Sequence, residues 1–282
     1  MCLRDRSTER GFCGADSNVR IARVGLHMWE EPCISYGKGS GTVFFSGCSL
    51  KCVYCQNHEI SQGNKGRDIL PEELSEIFLG VQKMGAVNLN LVNPTHYSLD
   101  IARALYKVKE QLEIPVIYNT GSYDRVETLR ELSGLVDIYL PDIKYYSPEC
   151  SEKYSGAKDY FKVAFLAIEE MFRQTGYPEF DGEGHMKSGV LIRHLVLPTL
   201  YRDSMAILDE LCGKYDVSKL YISIMRQYFP THMAGEFPEL SRKLTTLEYN
   251  KVTDYAQRLG IVNGYFQGKS SAVEEYVPNF DF

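Results

Sequence analysis

Gly47-Cys48-Ser49-Leu50-Lys51-Cys52-Val53-Tyr54-Cys55-Gln56-Asn57 is the stretch on which the reading of this chain turns. Its cysteines are spaced C-x3-C-x2-C and can place three thiolates around one metal centre, where soft sulfur favours zinc or iron-sulfur clusters over hard cations. No fourth cysteine follows at a tight local spacing. A [4Fe-4S] cube normally takes four thiolates, so a three-cysteine loop leaves one iron open to a small molecule. A zinc loop completed by a distant ligand, or a set of buried structural cysteines, satisfies the same residues.

Working outward, the apolar run Thr42-Val43-Phe44-Phe45-Ser46 leads into the loop and suits a strand covered on both faces. Gly37 to Gly41 reads as a flexible approach to it. Beyond the loop, strands are expected at Val87–Val92, Pro115–Tyr118, Leu135–Leu140, Gly189–Leu197 and Leu220–Met225, with helices between them. Pro71-Glu72-Glu73 opens one helix and Gly85 ends it. Ser98 caps the next, whose apolar stripe is Ile101, Leu105, Val108 and Leu112. Val126, Leu129 and Leu132 mark a third, 161–175 a fourth and 203–215 a fifth. Thr245-Thr246-Leu247-Glu248 reads as the capping box of a last helix ended by Gly260. Asp181-Gly182 marks a hairpin turn.

Strands that alternate with helices imply an α/β fold with a parallel sheet. Periodicity admits an open doubly wound sheet as well as a barrel, and in both the site lies at the carboxyl ends of the strands. Residues 1–38 are expected to be a partly irregular lead, 39–265 the catalytic unit and 266–282 a tail.

Hydrophobic residues at 44% and charged residues at 24% of 282 are ordinary globular values. A net charge of −6 implies no basic field for nucleic acid. The polar start Met1-Cys2-Leu3-Arg4 gives no sign of a signal or transit peptide, and no run of about 18 apolar residues suggests a membrane span. Eight cysteines without a secretory signal point to thiol or metal chemistry in a reducing compartment, with the cytoplasm expected.

The pattern C-x3-C-x-aromatic-C, with Tyr54 as the aromatic, resembles the cluster motif of the radical S-adenosylmethionine superfamily. The resemblance implies a partial (βα)6 TIM-type barrel open on one side, with Cys48, Cys52 and Cys55 holding a [4Fe-4S] cluster. It further implies S-adenosylmethionine on the open iron, Tyr54 near its adenine, and an electron donor such as flavodoxin or ferredoxin. Reductive cleavage would give a 5'-deoxyadenosyl radical.

Within that superfamily, the strand ends are similar to those of relatives of pyruvate formate-lyase activating enzyme. Asn57 matches an asparagine near the cofactor there. Asn93-Pro94-Thr95 stands where a glycine-rich turn meets the methionyl amino group, and Asn119-Thr120 stands where those enzymes have Asp-Thr near a cation. Asp142-Ile143-Lys144 resembles their Asp-x-Lys, and a strand places its residues i and i+2 on one face. Arg193 lies in an apolar strand, where an unpaired guanidinium is costly. The resemblance gives it the methionyl carboxylate, for which its fork is suited; an internal salt bridge is the alternative. His194 then faces the other way, as a core histidine. Pro230-Thr231-His232 makes His232 a candidate cofactor contact.

Gly11-Phe12-Cys13-Gly14 is similar to the end of a cysteine-rich lead in some of these relatives, although Cys2 and Cys13 read more simply as surface thiols. Cys150 fits a mobile loop and Cys212 a helix face. The likeness implies hydrogen abstraction from a backbone glycine of a partner enzyme. Radical modification of a small molecule or peptide is the alternative, and an iron-sulfur redox-sensing module is the alternative of another class.

Overall fold

The structure, a computed structural model, describes residues 9–268 and Phe280; Cys2 and most of the expected tail lie outside the described residues. The first half of the chain forms β1 (Val19–His27), α1 (Pro32–Ser35), β2 (Ser40–Phe45), α2 (His58–Ser61), β3 (Arg67–Ile69), α3 (Pro71–Lys83), β4 (Leu89–Val92), α4 (Ser98–Val108), β5 (Val116–Thr120) and α5 (Val126–Arg130). The second half forms β6 (Ile138–Pro141), α6 (Pro148–Ser155), α7 (Tyr160–Thr175), β7 (Glu179–Phe180), β8 (Met186–Val190), β9 (Ile192–Leu195), α8 (Tyr201–Lys214), β10 (Tyr221–Met225), α9 (Thr246–Arg258) and β11 (Asn263–Phe266).

β2, β4, β5, β6 and β8 are parallel neighbours in that order. β9, β10 and β11 continue the parallel run. The two sets meet where Ile143 N–H donates to Arg193 O (2.9 Å) and Leu191 N–H to Tyr139 O (3.0 Å), so β8 and β9 are halves of the single strand expected over 189–197. Six βα units result, followed by β11, a seventh parallel strand too short and glycine-interrupted to be read from the sequence.

Period-two alternation decides between barrel and open sheet. Val43, Phe45, Leu89, Leu91, Val116, Tyr118, Tyr139, Ile192, Ile222 and Ile224 share one core with the apolar stripes of α3, α4, α5, α7, α8 and α9. All these helices therefore cover the same face of the sheet, which rules out the doubly wound arrangement. Each fully buried Val, Leu, Ile or Phe contributes about 1.5–3 kcal/mol relative to exposure. The opposite face is a lumen. There Ile117, Ile138, Leu140, Met186 and Leu191 enclose Cys33 and Ile34 of α1. Asn88 Nδ2 donates to Ile34 O (2.8 Å), and the Tyr265 hydroxyl of β11 accepts from Cys33 N–H (3.2 Å). The structure is thus a partial (βα)6 TIM-type barrel with a one-turn helix inserted at its amino end.

Several local expectations need correction. The lead contains β1, which pairs antiparallel with β2 and β3 and extends the sheet at its edge. Ser98 is the first helical residue of α4, not its cap; its hydroxyl bonds to Thr95 O (2.9 Å) and the Tyr118 hydroxyl (2.8 Å). Cys150 lies in α6 rather than a loop, with its N–H donating to Ser147 Oγ (3.2 Å). The capping box of α9 does form, with Glu248 N–H donating to Thr245 Oγ1 (3.2 Å) and Thr245 N–H to Glu248 Oε2 (3.1 Å).

Gly41 is not a flexible approach but a packed position inside β2. A Cβ there would lie 2.2 Å from Val81 Cγ1 and 2.9 Å from Asn88 O. Gly41→Ala is expected to cost about 1–3 kcal/mol by overpacking, measured by chemical unfolding. Gly182→Ala, with nothing within 4 Å of its added carbon, serves as the near-neutral control. Among the described residues no helix is long and apolar enough to cross a membrane.

Candidate active site

The cysteine loop leaves the carboxyl end of β2 and is tied down through its backbone. Gly47 N–H donates to Ile60 O (2.9 Å), Cys48 N–H to Cys13 O (3.0 Å), Lys51 N–H to Ser155 O (3.0 Å) and Val53 N–H to Tyr154 O (2.9 Å). Gly47 has φ +90°, and a Cβ there would lie 2.4 Å from Cys13 O, so only glycine fits. Cys13 is accordingly no mobile surface thiol: it is partly buried against the main core, with its carbonyl on the loop.

Each loop sulfur has a hydrogen-bonding neighbour. Leu50 N–H donates to Cys48 Sγ (3.4 Å), Ser155 Oγ–H to Cys52 Sγ (3.0 Å), and Ser61 Oγ lies 3.2 Å from Cys55 Sγ. Burial pushes the Cys48 thiol up to about 12 and the Cys55 thiol up to about 11, and raises Cys52 as well. Cys48 and Cys55 also feel the charge of Cys52, while the Lys144 ammonium pulls all three down. Three soft donors that repel one another as thiolates fit a cationic iron centre. Among the described residues no three His, Cys, Asp or Glu side chains gather around a single metal ion. A [4Fe-4S] cluster would take one iron per thiolate, so its three anchors need not meet on a single ion.

Behind the thiols lies a buried charged network. Lys144 Nζ donates to Asp142 Oδ2 (2.7 Å), so the pair does share the lumen face. Arg193 Nε donates to Asp142 Oδ1 (2.9 Å), Nη2 to Asn119 Oδ1 (2.6 Å) and Nη1 to Glu30 Oε2 (3.4 Å). Asn90 Nδ2 holds the other Glu30 oxygen (3.0 Å). Arg193 therefore makes the internal salt bridge that the sequence left as its alternative role. Burial pushes the Asp142 carboxyl up, but Arg193 and Lys144 together outweigh it and hold Asp142 below the usual carboxylate range. Glu30 and Glu31 are raised by burial, with Arg193 opposing.

His194 faces away from the lumen, as the strand period requires, with Nδ1 bonded to Ile143 O (2.7 Å) and Nε2 to Ser204 Oγ (2.8 Å). Burial pushes this imidazole down to about 4 from its ordinary 6.5. The unfolded chain therefore takes up the proton first, and the stability His194 contributes is complete above 6.5 and lost as pH falls toward 4, by at most about 3 kcal/mol. Chemical unfolding across that window is expected to show a shallower decline for His194→Gln.

The remaining candidates separate into two groups. Asn93, at φ +58°, donates its side-chain amide to Gly47 O and so braces the loop. Pro94 O accepts from Tyr97 N–H (2.8 Å) in the turn. Thr95 Oγ1 meets Thr120 Oγ1 (3.1 Å), and Thr120 donates to the buried Asp124 (2.6 Å), so both hydroxyls are engaged with the scaffold. The Tyr54 hydroxyl bonds to that of Tyr145 (2.7 Å). Asn57 lies at the start of α2, its carbonyl accepting from Ser61 N–H (2.9 Å). His232, exposed and at φ +52°, stacks on His58 at 4.6 Å, and His58 bonds to Cys55 O. Only Asn119, Asp142, Lys144 and Arg193 join one another in the lumen behind the thiols. Glu30, Ser155, Tyr145 and Asp124 were missed. Asn90 carried a readable signal, since Asn88 and Asn90 alternate with Leu89 and Leu91 in a central strand.

A family model for the Radical SAM superfamily matches residues 42–211, which run from β2 into α8 and include the whole cysteine loop. The chain belongs to the radical SAM superfamily. Proteins of this superfamily use a [4Fe-4S] cluster and S-adenosylmethionine, and the three-thiol donor set described above suits that cluster. The Methanocaldococcus jannaschii protein MJ0674 is 31% identical over 272 residues, which is 92% of this chain and 73% of that protein. Streptococcus suis SuiB bound to precursor peptide SuiA shares the fold at TM-score 0.52 and 16% identity, over 79% of this chain. The match spans about half of SuiB, 47% of its chain. Spore photoproduct lyase with bound AdoMet and dinucleoside spore photoproduct matches at TM-score 0.51 and 13% identity, over 78% of this radical SAM chain and 73% of the lyase. At such identities the likeness is one of fold.

Proposed function

We propose that Cys48, Cys52 and Cys55 anchor the [4Fe-4S] cluster of this radical SAM enzyme, and that Asn119, Asp142, Lys144 and Arg193 border the S-adenosylmethionine site. The observation that carries the reading is the loop that holds the three thiols at the carboxyl end of β2, tied down through Gly47, Cys48, Lys51 and Val53 and lying within the stretch that the family model matches. When bound, cluster and cofactor together supply a 5'-deoxyadenosyl radical able to take hydrogen from a substrate; the protein supplies orientation and shelter.

Lys144 has three N–H donors and uses one on Asp142, which leaves donors for a cofactor carboxylate. Asp142, held anionic by its two cations, can accept from an ammonium or a ribose hydroxyl. Tyr54 borders the adenine and Asn57 and His232 the rim, whereas Asn93, Thr95 and Thr120 act by bracing the loop and β5. Every cysteine among the described residues is a free thiol, which suits a reducing cytoplasm.

The substrate in this reading is a backbone glycine of a partner protein, with the electron coming from a flavodoxin or ferredoxin. The Asp-x-Lys pair, Asn57 and the Pro-x-His segment support it by their likeness to pyruvate formate-lyase activating enzymes. Anaerobic reconstitution with iron and sulfide, followed by dithionite and S-adenosylmethionine, is expected to yield 5'-deoxyadenosine. Protein carrying a full complement of iron and sulfide that yields none refutes the chemistry. A glycyl radical seen by electron paramagnetic resonance on addition of a partner supports the substrate. Cofactor cleavage with no protein radical transfers the reading to a small molecule or peptide.

A further inference from the structure

We propose that Ser155 tunes the reduction potential of the cluster by donating a hydrogen bond to Cys52 Sγ, and that the Tyr145 hydroxyl, turned toward Tyr54, competes for the same proton. The inference rests on Cys52 being a cluster ligand. Ser155 is the last residue of α6, fully buried, with Oγ 3.0 Å from Cys52 Sγ. Its Oγ is also 2.8 Å from the Tyr145 hydroxyl, which donates to the Tyr54 hydroxyl (2.7 Å). Each hydroxyl has a single proton. The Tyr145 proton is directed at Tyr54, so toward Ser155 the Tyr145 oxygen can only accept, and it shares the Ser155 proton with Cys52 Sγ.

A hydrogen bond to a ligating sulfur withdraws negative charge from it and stabilises the more negative, reduced cluster, which raises the potential. Burial strengthens the effect, because a low local dielectric screens it little. Of the other two sulfurs, Cys48 has a backbone N–H at 3.4 Å, and Cys55 has the Ser61 hydroxyl at 3.2 Å and the Asn57 backbone. Ser155 is a positioning residue in this account, acting only through Cys52.

The test is a redox titration of the reconstituted, intact protein, followed by visible absorption and electron paramagnetic resonance. Ser155→Ala is expected to keep its iron content and shift the midpoint potential to a more negative value. Tyr145→Phe is expected to shift it the opposite way by less, because the Ser155 proton is then left to Cys52, and the double variant is expected to match Ser155→Ala, because Tyr145 acts through Ser155. A fully loaded Ser155→Ala protein with unchanged potential overturns the inference. Should Ser155→Ala not assemble a cluster, an unchanged potential in Tyr145→Phe overturns it instead. Retention of the cluster in Cys52→Ala overturns the ligand assignment itself, a different result from loaded wild type with an insensitive potential.

Discussion

Cys52→Ala protein is expected to emerge from anaerobic reconstitution with its iron reduced from about four atoms per chain to background, and with no cleavage of S-adenosylmethionine. In the proposed assignment a cube held at three corners has no spare anchor, and losing Cys52 leaves two. Changes to groups that merely orient a metal ligand cost about 10–100-fold in metal affinity or activity. Loss of a ligand among only three therefore costs more than about 100-fold. Iron and sulfide analysis with the visible charge-transfer band reads the effect directly. Cys150→Ala and Cys212→Ala are the controls: both are free thiols on helices, outside the loop, and both variants are expected to load like wild type. Loss of iron in those controls, or its retention in Cys52→Ala, overturns the assignment.

Arg193→Ala carries the second large effect, and the structure changes what it measures. A guanidinium reserved for the cofactor would be dispensable for folding, but this one joins Asp142, Glu30 and Asn119 in the lumen. Removing it leaves two carboxylates with side-chain exposures of 19% and 9% short of their main counter-charge. Breaking a buried ion pair from one side costs about 3–5 kcal/mol. Chemical unfolding should show a loss of that size, partly recovered in Arg193→Ala/Glu30→Gln, where one stranded charge is gone. Arg193→Lys should recover only part, because an ammonium cannot reproduce the fork. Lys144 stays beside the thiols, so cluster loading should change less than cofactor affinity. Unchanged affinity in the folded variant, measured by calorimetry, removes Arg193 from the cofactor site and leaves it a purely internal role.

Arg193 also shows where sequence reading stops. That an arginine in an apolar strand needs a partner follows from one residue; that the partner includes Glu30, 163 positions earlier, follows only from the barrel. The βα alternation was legible because each helix stripe and each strand repeats its period over several residues. α1 was not, since four residues hold no period, and their burial depends on a lumen assembled from strands far along the chain. The cysteine loop was legible because its chemistry lies in spacing alone. The roles of Asn93 and Thr120 were not, because a polar side chain at a strand end serves a ligand or a neighbouring backbone equally well until the fold chooses.

The short helix lodged in the amino end of the barrel sets the traffic of the enzyme. With Ile34 fully enclosed there, that end is filled among the described residues. A ligand of the thiols therefore meets the barrel from the carboxyl ends of the strands, where the cysteine loop stands.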